Sequence, residues 1–277
     1  MNSFKNIFFF TLFCVISYHT SYTQEKISFP YHLNYSTDIL LLSGGISLAL
    51  SYQYLNNSET IRYLSQNEIL KLDRNQINSF DRSATNYWST ELEKTSDYIR
   101  DGLQTIPALL VIPVIENKSW NNLFTLGIMY IEGYLINSGL TNTTKLIVQR
   151  KRPYLYNTNI SDDMRIELGA EEGSYKSFFS GHTSGSFYNA VFISKVFTDI
   201  YGKNTWTYLL WGISLSAAST TGYLRYKSGY HYPTDILVGA IVGSVAGYFV
   251  PVLHKSANNK LSVIIKPNNQ YGIAYTF

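Results

Sequence analysis

The chain has 277 residues, an apolar share of 45% and a formal net charge of +3 from 22 basic and 19 acidic residues. That apolar share excludes global disorder, and so small and unclustered a charge argues against a nucleic-acid binder. Charged residues make up only 15% and aromatics 16%, with 24 Tyr, which suits a mostly buried helical bundle or a membrane-associated protein.

The first predicted element is a targeting segment, residues 1–23. Lys5 precedes the apolar run Ile7 to Ile16, and small and polar residues follow from Ser17 to Gln24. Charged, apolar, polar is the order of a secretory signal peptide, with cleavage expected near Thr23 and Gln24. An uncleaved anchor is the alternative, although the run is short for a membrane span. Phe13 before Cys14 argues against a lipoprotein signal. Cys14 is the only cysteine, so the processed chain is expected to have no disulfide, no Cys-based zinc site and no thiol nucleophile.

Six apolar stretches follow, at 38–54, 103–115, 122–140, 184–199, 205–222 and 235–253. They predict an all-α fold: a six-helix bundle with its active site at one end. Residues 24–101 supply an N-terminal helix and a polar connecting region with surface helices near Asn67–Arg74 and Thr90–Asp101. Residues 102–253 form the helical core. The last stretch carries Gly239, Gly243 and Gly247 at steps of four, a small-residue stripe that lets a neighbouring helix approach. Residues 154–177 are polar and read as a long, functional loop. In the tail, 254–277, apolar residues alternate on both sides of Pro267-Asn268-Asn269-Gln270, the pattern of a β-hairpin capping the bundle.

Three clusters carry chemistry. Lys145 and Arg152 lie seven residues apart, close to two helical turns, with Pro153 expected to stop the helix. Two cations on one face make an anion site, unless they are only the basic flank of an apolar helix. Ser180-Gly181-His182 stands directly before an apolar helix, where free N–H groups favour phosphate or sulfate; an ordinary helix start with a surface histidine is the alternative. Arg225, His231 and Asp235 lead into the most apolar helix. Pro233 suits its first position, so Asp235 falls in the first turn, within reach of His231. Asp235 either orients that imidazole or simply suits the helix dipole. Alternating helix directions bring all three clusters to one end.

These residues resemble the signature of the type-2 phosphatidic acid phosphatase and vanadium haloperoxidase superfamily: Lys-x6-Arg-Pro, then Pro-Ser-Gly-His, then Ser-Arg-x5-His-x3-Asp. The first part is matched at Lys145, Arg152 and Pro153, the second at Ser180, Gly181 and His182, and the third at Arg225, His231 and Asp235. Phe179 stands where the family usually has Pro, and Leu224 where it has Ser. The resemblance covers about 122–253 and implies a metal-free phosphatase with no cofactor. Lys145, Arg152, Ser180, Gly181 and Arg225 would hold the phosphoryl oxygens. His231 would attack phosphorus, Asp235 would set its tautomer, and His182 would protonate the leaving oxygen.

The expected substrate is a phosphomonoester or diphosphate, in the first place of a membrane lipid, handled in the cell envelope by a membrane-associated or periplasmic protein. The competing readings are a soluble acid phosphatase acting on small esters, a haloperoxidase that would need vanadate and peroxide, and a non-enzymatic envelope protein. Neither a nucleic acid nor an obligate protein partner is expected.

Overall fold

A computed structural model describes residues 29–57, 61–107, 119–255, 261–266 and 270–275. The expected targeting segment, residues 108–115 of the second apolar stretch and the expected turn at Pro267–Asn269 lie outside the described residues. The helices are α1 (Tyr35–Asn57), α2 (Gln66–Leu70), α3 (Ser79–Arg82), α4 (Thr90–Thr105), α5 (Trp120–Val148), α6 (Asp162–Gly169), α7 (Gly181–Tyr201), α8 (Thr205–Lys227) and α9 (Pro233–Leu253). Strands β1 (Leu261–Lys266) and β2 (Gln270–Tyr275) pair antiparallel, with Val263 opposite Ile273.

The fold is a mainly helical bundle arranged around α7. Ser180 caps that helix, its side chain accepting from the Thr183 N–H at 3.3 Å. Most of α7 is buried, including Tyr188, Phe192, Ile193, Val196 and Phe197. α4, α5, α8 and α9 pack around it. The glycine stripe of α9 makes the closest approach. A Cβ on Gly243 would lie 2.0 Å from the Ser184 carbonyl oxygen, and one on Gly239 would lie 2.6 Å from that of Ser180. Only glycine permits that contact, and it sets the starts of α7 and α9 side by side. The Ser180 N–H then donates to the Asp235 carbonyl at 3.0 Å, tying the two helix starts together.

Several local expectations need correction. α5 ends at Val148, because Gln149 adopts a left-handed conformation (φ 47°) and its N–H closes on the Lys145 carbonyl. Lys145 and Arg152 therefore do not share a helix face; Arg152 sits in extended backbone after the helix. The expected loop at 154–177 contains α6, whose Ser161 cap accepts from the Met164 N–H. The expected surface helix at Thr90–Asp101 is α4, which runs on to Thr105 and packs on α7 and α8 with Ser96 and Leu103 fully buried. Its apolar positions meet the core while Glu93 and Asp97 turn to the neighbouring arginine. The Asn67–Arg74 helix is shorter than expected: α2 stops at Leu70 and a separate 3₁₀ turn covers Arg74–Gln76.

Exposed large apolar side chains lie along α1 (Ile39, Leu50), α5 (Phe124, Ile131), α8 (Tyr208, Tyr223) and α9 (Leu237, Ile241, Val245). Among the described residues, α9 alone is long and apolar enough to cross a membrane.

Candidate active site

The end of α5, the start of α7, the end of α8 and the start of α9 meet at one end of the bundle, and with them the three sequence clusters. His231 forms the floor. It sits in the turn between α8 and α9, held by its own N–H to the Arg225 carbonyl at 3.2 Å. Gly229 makes this turn possible, since it has φ 78° and a Cβ there would lie 2.0 Å from the Tyr87 carbonyl oxygen. The His231 ring is buried, and among the described residues neither of its nitrogens has a hydrogen-bond partner, nor do Arg225 Nε and Arg152 Nη1. Its Nδ1 lies 3.5 Å from Asp235 Oδ2, which leaves Nε2 as the nitrogen turned away from that carboxylate.

Asp235 is fully buried and thoroughly bonded. Its Oδ2 accepts from Ser177 Oγ at 2.6 Å and from the Tyr232 N–H at 3.0 Å. Its Oδ1 accepts from Arg150 Nη1 at 2.6 Å. Arg150 was not singled out in the sequence, yet it links both buried acids beneath the site: its Nη2 also donates to Asp81 Oδ2 at 2.7 Å. Asp81 in turn accepts from the Thr234 N–H at 3.0 Å. Removing one partner of such an arrangement leaves charge buried and unpaired. Arg150→Ala is expected to destabilise the fold by about 3–5 kcal/mol, read as a lower denaturant midpoint at unchanged slope.

The cations surround this floor. Arg225 is 2% exposed, with Nη1 3.5 Å from Glu93 Oε1 and 3.4 Å from Ser96 Oγ, while its Nε has no hydrogen-bond partner. Arg152 donates from Nε to the Gly173 carbonyl at 2.6 Å, and its buried Nη1 has no partner. Both guanidiniums lie over the Tyr230 ring, at 4.5 Å for Arg225 and 4.8 Å for Arg152. Lys145 comes from the last turn of α5. Its Nζ would be 3.1 Å from a Cβ built on Gly181, so the ammonium sits directly over the start of α7.

His182 stands at the rim, its side chain 21% exposed. Its Nε2 lies 2.6 Å from Asp97 Oδ1, and Arg100 Nη1 approaches the same nitrogen. Asp97 and Arg100 both come from α4, outside every motif. The signal that could have found them is the apolar spacing of Leu92, Ile99 and Leu103, with the small Ser96 on the same face, which marks α4 as a packed helix and puts Asp97 beside its buried face.

The electrostatics of the pocket are one-sided. Burial pushes His231 well below the ordinary imidazole value, and the charges of Arg152, Arg225 and Lys145 push it further. His182 also disfavours a charge on His231, and Arg225 disfavours one on both rings; Asp97 Oδ1 meets His182 Nε2 and lies 3.7 Å from Arg225 Nη1. Burial, then Arg225, lowers His182 to about 3, against the pull of Asp97. Burial lowers Lys145 to about 7, with Arg152, Arg225 and Lys176 adding to the effect. Burial raises the Asp97 carboxyl, but His182, Arg225 and Arg100 outweigh that and hold it below the carboxylate range. Cations crowded and desolvated in this way favour an anion among them.

Residues 125–259 match the model of the PAP2 superfamily. A lipid A 4'-phosphatase of Porphyromonas gingivalis is 28% identical over 138 residues, 50% of this chain and 54% of the relative. A lipid A 4'-phosphatase of Bacteroides thetaiotaomicron is 33% identical over 113 residues, 39% of this chain and 45% of the relative. The matched regions thus span about half the length of these relatives. Among solved structures, Aquifex aeolicus LpxE is similar at 21% identity and a TM-score of 0.41, covering 61% of this chain and 90% of that one. Lys145, Arg152, Ser180, Gly181, His182, Arg225, His231 and Asp235 all fall within the matched segment, and through residues 125–259 this chain belongs to the PAP2 superfamily.

Proposed function

We propose that this pocket is the active site of a phosphatase that removes a phosphate group from a membrane lipid through a phosphohistidine intermediate. The observation that carries the reading is the set of three cations, the buried Arg225 with the half-buried Lys145 and Arg152, gathered on a buried histidine whose nitrogens have no hydrogen-bond partner among the described residues. Such a set suits the spread negative charge of a transferring phosphoryl group. Lipid A-type phosphates are the first substrates to try, because the two curated relatives are named for that activity. The apolar side chains exposed on α1, α5, α8 and α9 support a protein associated with a membrane, and the targeting segment expected at residues 1–23 would take it to the cell envelope.

Lys145, Arg152, Arg225 and the first turn of α7 hold the three phosphoryl oxygens. His231 Nε2 attacks phosphorus in line, forming a P–N bond as the P–O bond to the leaving group breaks. Asp235 stabilises the imidazolium that results. His182, held by Asp97, gives a proton to the leaving oxygen. Water then gives a proton to the now neutral His182 and attacks phosphorus, the P–N bond breaks with its electron pair returning to His231 Nε2, and phosphate leaves with His231 restored. No step draws on a metal or an organic cofactor.

The depressed His182 predicts how activity depends on pH. In the free pocket this ring is neutral at neutral pH. The proton therefore arrives with the substrate, as the monoanion of a phosphate whose second pKa is about 6. Activity is expected to be highest at mildly acidic to neutral pH and to decline as kcat/KM follows the loss of that proton. Asp97→Asn removes the group that draws a proton onto His182 in the bound complex, so the alkaline limb of the kcat profile should shift to lower pH and kcat should fall about tenfold or more. A flat profile to pH 9 in wild type, or an unchanged limb in the variant, would contradict the role given to His182.

The first experiment is phosphate release from diacyl phosphates, isoprenyl diphosphates, lipid A and soluble esters, with and without orthovanadate. The proposal expects turnover of a lipid phosphate and inhibition by vanadate. Halide oxidation with vanadate and peroxide, and no phosphate release, would make the protein a haloperoxidase. Turnover of soluble esters alone would remove the lipid from the proposal.

A further inference from the structure

A second polar cluster lies at the other end of α9. Asp38 of α1, Glu132 of α5 and His254, the residue that caps α9, each offer one donor atom, and the three atoms lie within 4.8 Å of one another. Glu132 and His254 are fully buried, while the Asp38 side chain is 16% exposed. Asp38 Oδ1 is 2.9 Å and Glu132 Oε2 3.1 Å from His254 Nε2. The other carboxylate oxygen of Glu132, Oε1, is buried without a hydrogen-bond partner among the described residues.

The tautomer of His254 decides what this cluster can hold. Its Nδ1 is 2.9 Å from the Val250 carbonyl, an acceptor with no hydrogen to give. Nδ1 therefore carries the hydrogen, and Nε2 is the nitrogen that faces both carboxylates. A bare lone pair there would be repelled by the two oxygens. A proton on Nε2 would remove that repulsion but leave two carboxylates against one positive charge in a buried place. A divalent cation balances both charges. The two separations from His254 Nε2 are close to what such an ion needs, since donors about 2.0–2.1 Å from a tetrahedral zinc lie roughly 3.3 Å from one another. An Nδ1–H fixed on a backbone carbonyl is also how metal-binding histidines are oriented.

We propose that Asp38, Glu132 and His254 form a binding site for a divalent transition-metal cation, zinc in the first place. One imidazole and two carboxylates suit zinc better than magnesium or calcium, which favour all-oxygen sites. The ion joins α1, α5 and the end of α9 at the end of the bundle away from His231, and the partly exposed Asp38 gives it a way in. The His32 N–H donates to the His254 carbonyl at 3.0 Å and holds the preceding chain against the same point. The role is structural and independent of the phosphatase reading.

The test uses tag-free full-length protein in detergent, stripped with a chelator and titrated with Zn²⁺ or Mg²⁺ alone. Calorimetry and elemental analysis should give one equivalent of Zn²⁺ and little Mg²⁺. Zn²⁺ at a hundredfold excess over Kd should raise Tm on the order of 5 °C. The nearly isosteric Glu132→Gln, and separately His254→Gln, should each weaken Zn²⁺ binding at least tenfold and abolish the Tm rise. Stripped wild-type protein should still release phosphate well below its Tm, so failure here leaves the active-site reading standing, and the reverse. Wild-type protein that takes up no stoichiometric Zn²⁺, or variants that bind it as wild type does, would overturn the proposal.

Discussion

His231→Ala is expected to lower phosphate release by about four orders of magnitude or more, as removal of a nucleophile does in other covalent mechanisms. The expectation follows from position. Among the described residues no other imidazole shares the floor of the pocket with the three cations, since His182 stands at the rim engaged with Asp97. The substitution removes a buried ring that makes no side-chain hydrogen bond, so the backbone turn that carries it should persist. Tm and phosphate affinity should therefore change little while turnover disappears. Activity within tenfold of wild type would mean that phosphorus is attacked by water directly. His182→Ala should differ in kind, slowing turnover most for esters with poor leaving groups and least for activated aryl phosphates.

The second large effect is expected at the cations. Arg225→Met should lower kcat/KM by about two to three orders of magnitude, the loss that follows removal of one preorganised group from developing negative charge. Arg225→Lys should recover little, because the two guanidiniums over Tyr230 present flat, forked donors that an ammonium cannot copy. The substitution also leaves Glu93 and Asp97 without their buried partner, so Tm must be measured beside activity. A loss confined to stability, with normal kcat/KM in the folded fraction, would remove Arg225 from phosphoryl binding.

The positions of these groups were legible to different degrees. The three motifs and the alternation of apolar helices were enough to bring Lys145, Arg152, His182, Arg225, His231 and Asp235 to one end of the bundle. The glycine stripe of α9 announced its close contact, and that contact sets the two helix starts side by side. The end of α5 was not legible, because its left-handed cap falls on Gln149 where a glycine would ordinarily mark it. Arg152 thus reaches the pocket from a loop instead of a helix face. Arg150 was hidden inside the basic run, where nothing local separates the arginine that binds buried acids from the one that faces the pocket. Asp97 was masked by its neighbours: Glu91, Glu93, Lys94, Arg100 and Asp101 give α4 the charge pattern of a solvated helix. Only the tertiary contact with α7 and α8 selects which of them turn inward. The pairing of Asp38, Glu132 and His254 was equally silent, since residues so far apart in sequence share no spacing.

The account rests on His231 carrying the phosphoryl group between two half-reactions. Rapid quenching of the wild-type protein during turnover of a phosphate-labelled lipid, followed by peptide mass spectrometry under mildly alkaline conditions that preserve phosphoramidates, tests this directly. The expected result is label on His231, formed faster than phosphate is released, labile to acid and absent from His231→Ala. Full turnover with no labelled histidine at any quench time, or label on another residue, would contradict it.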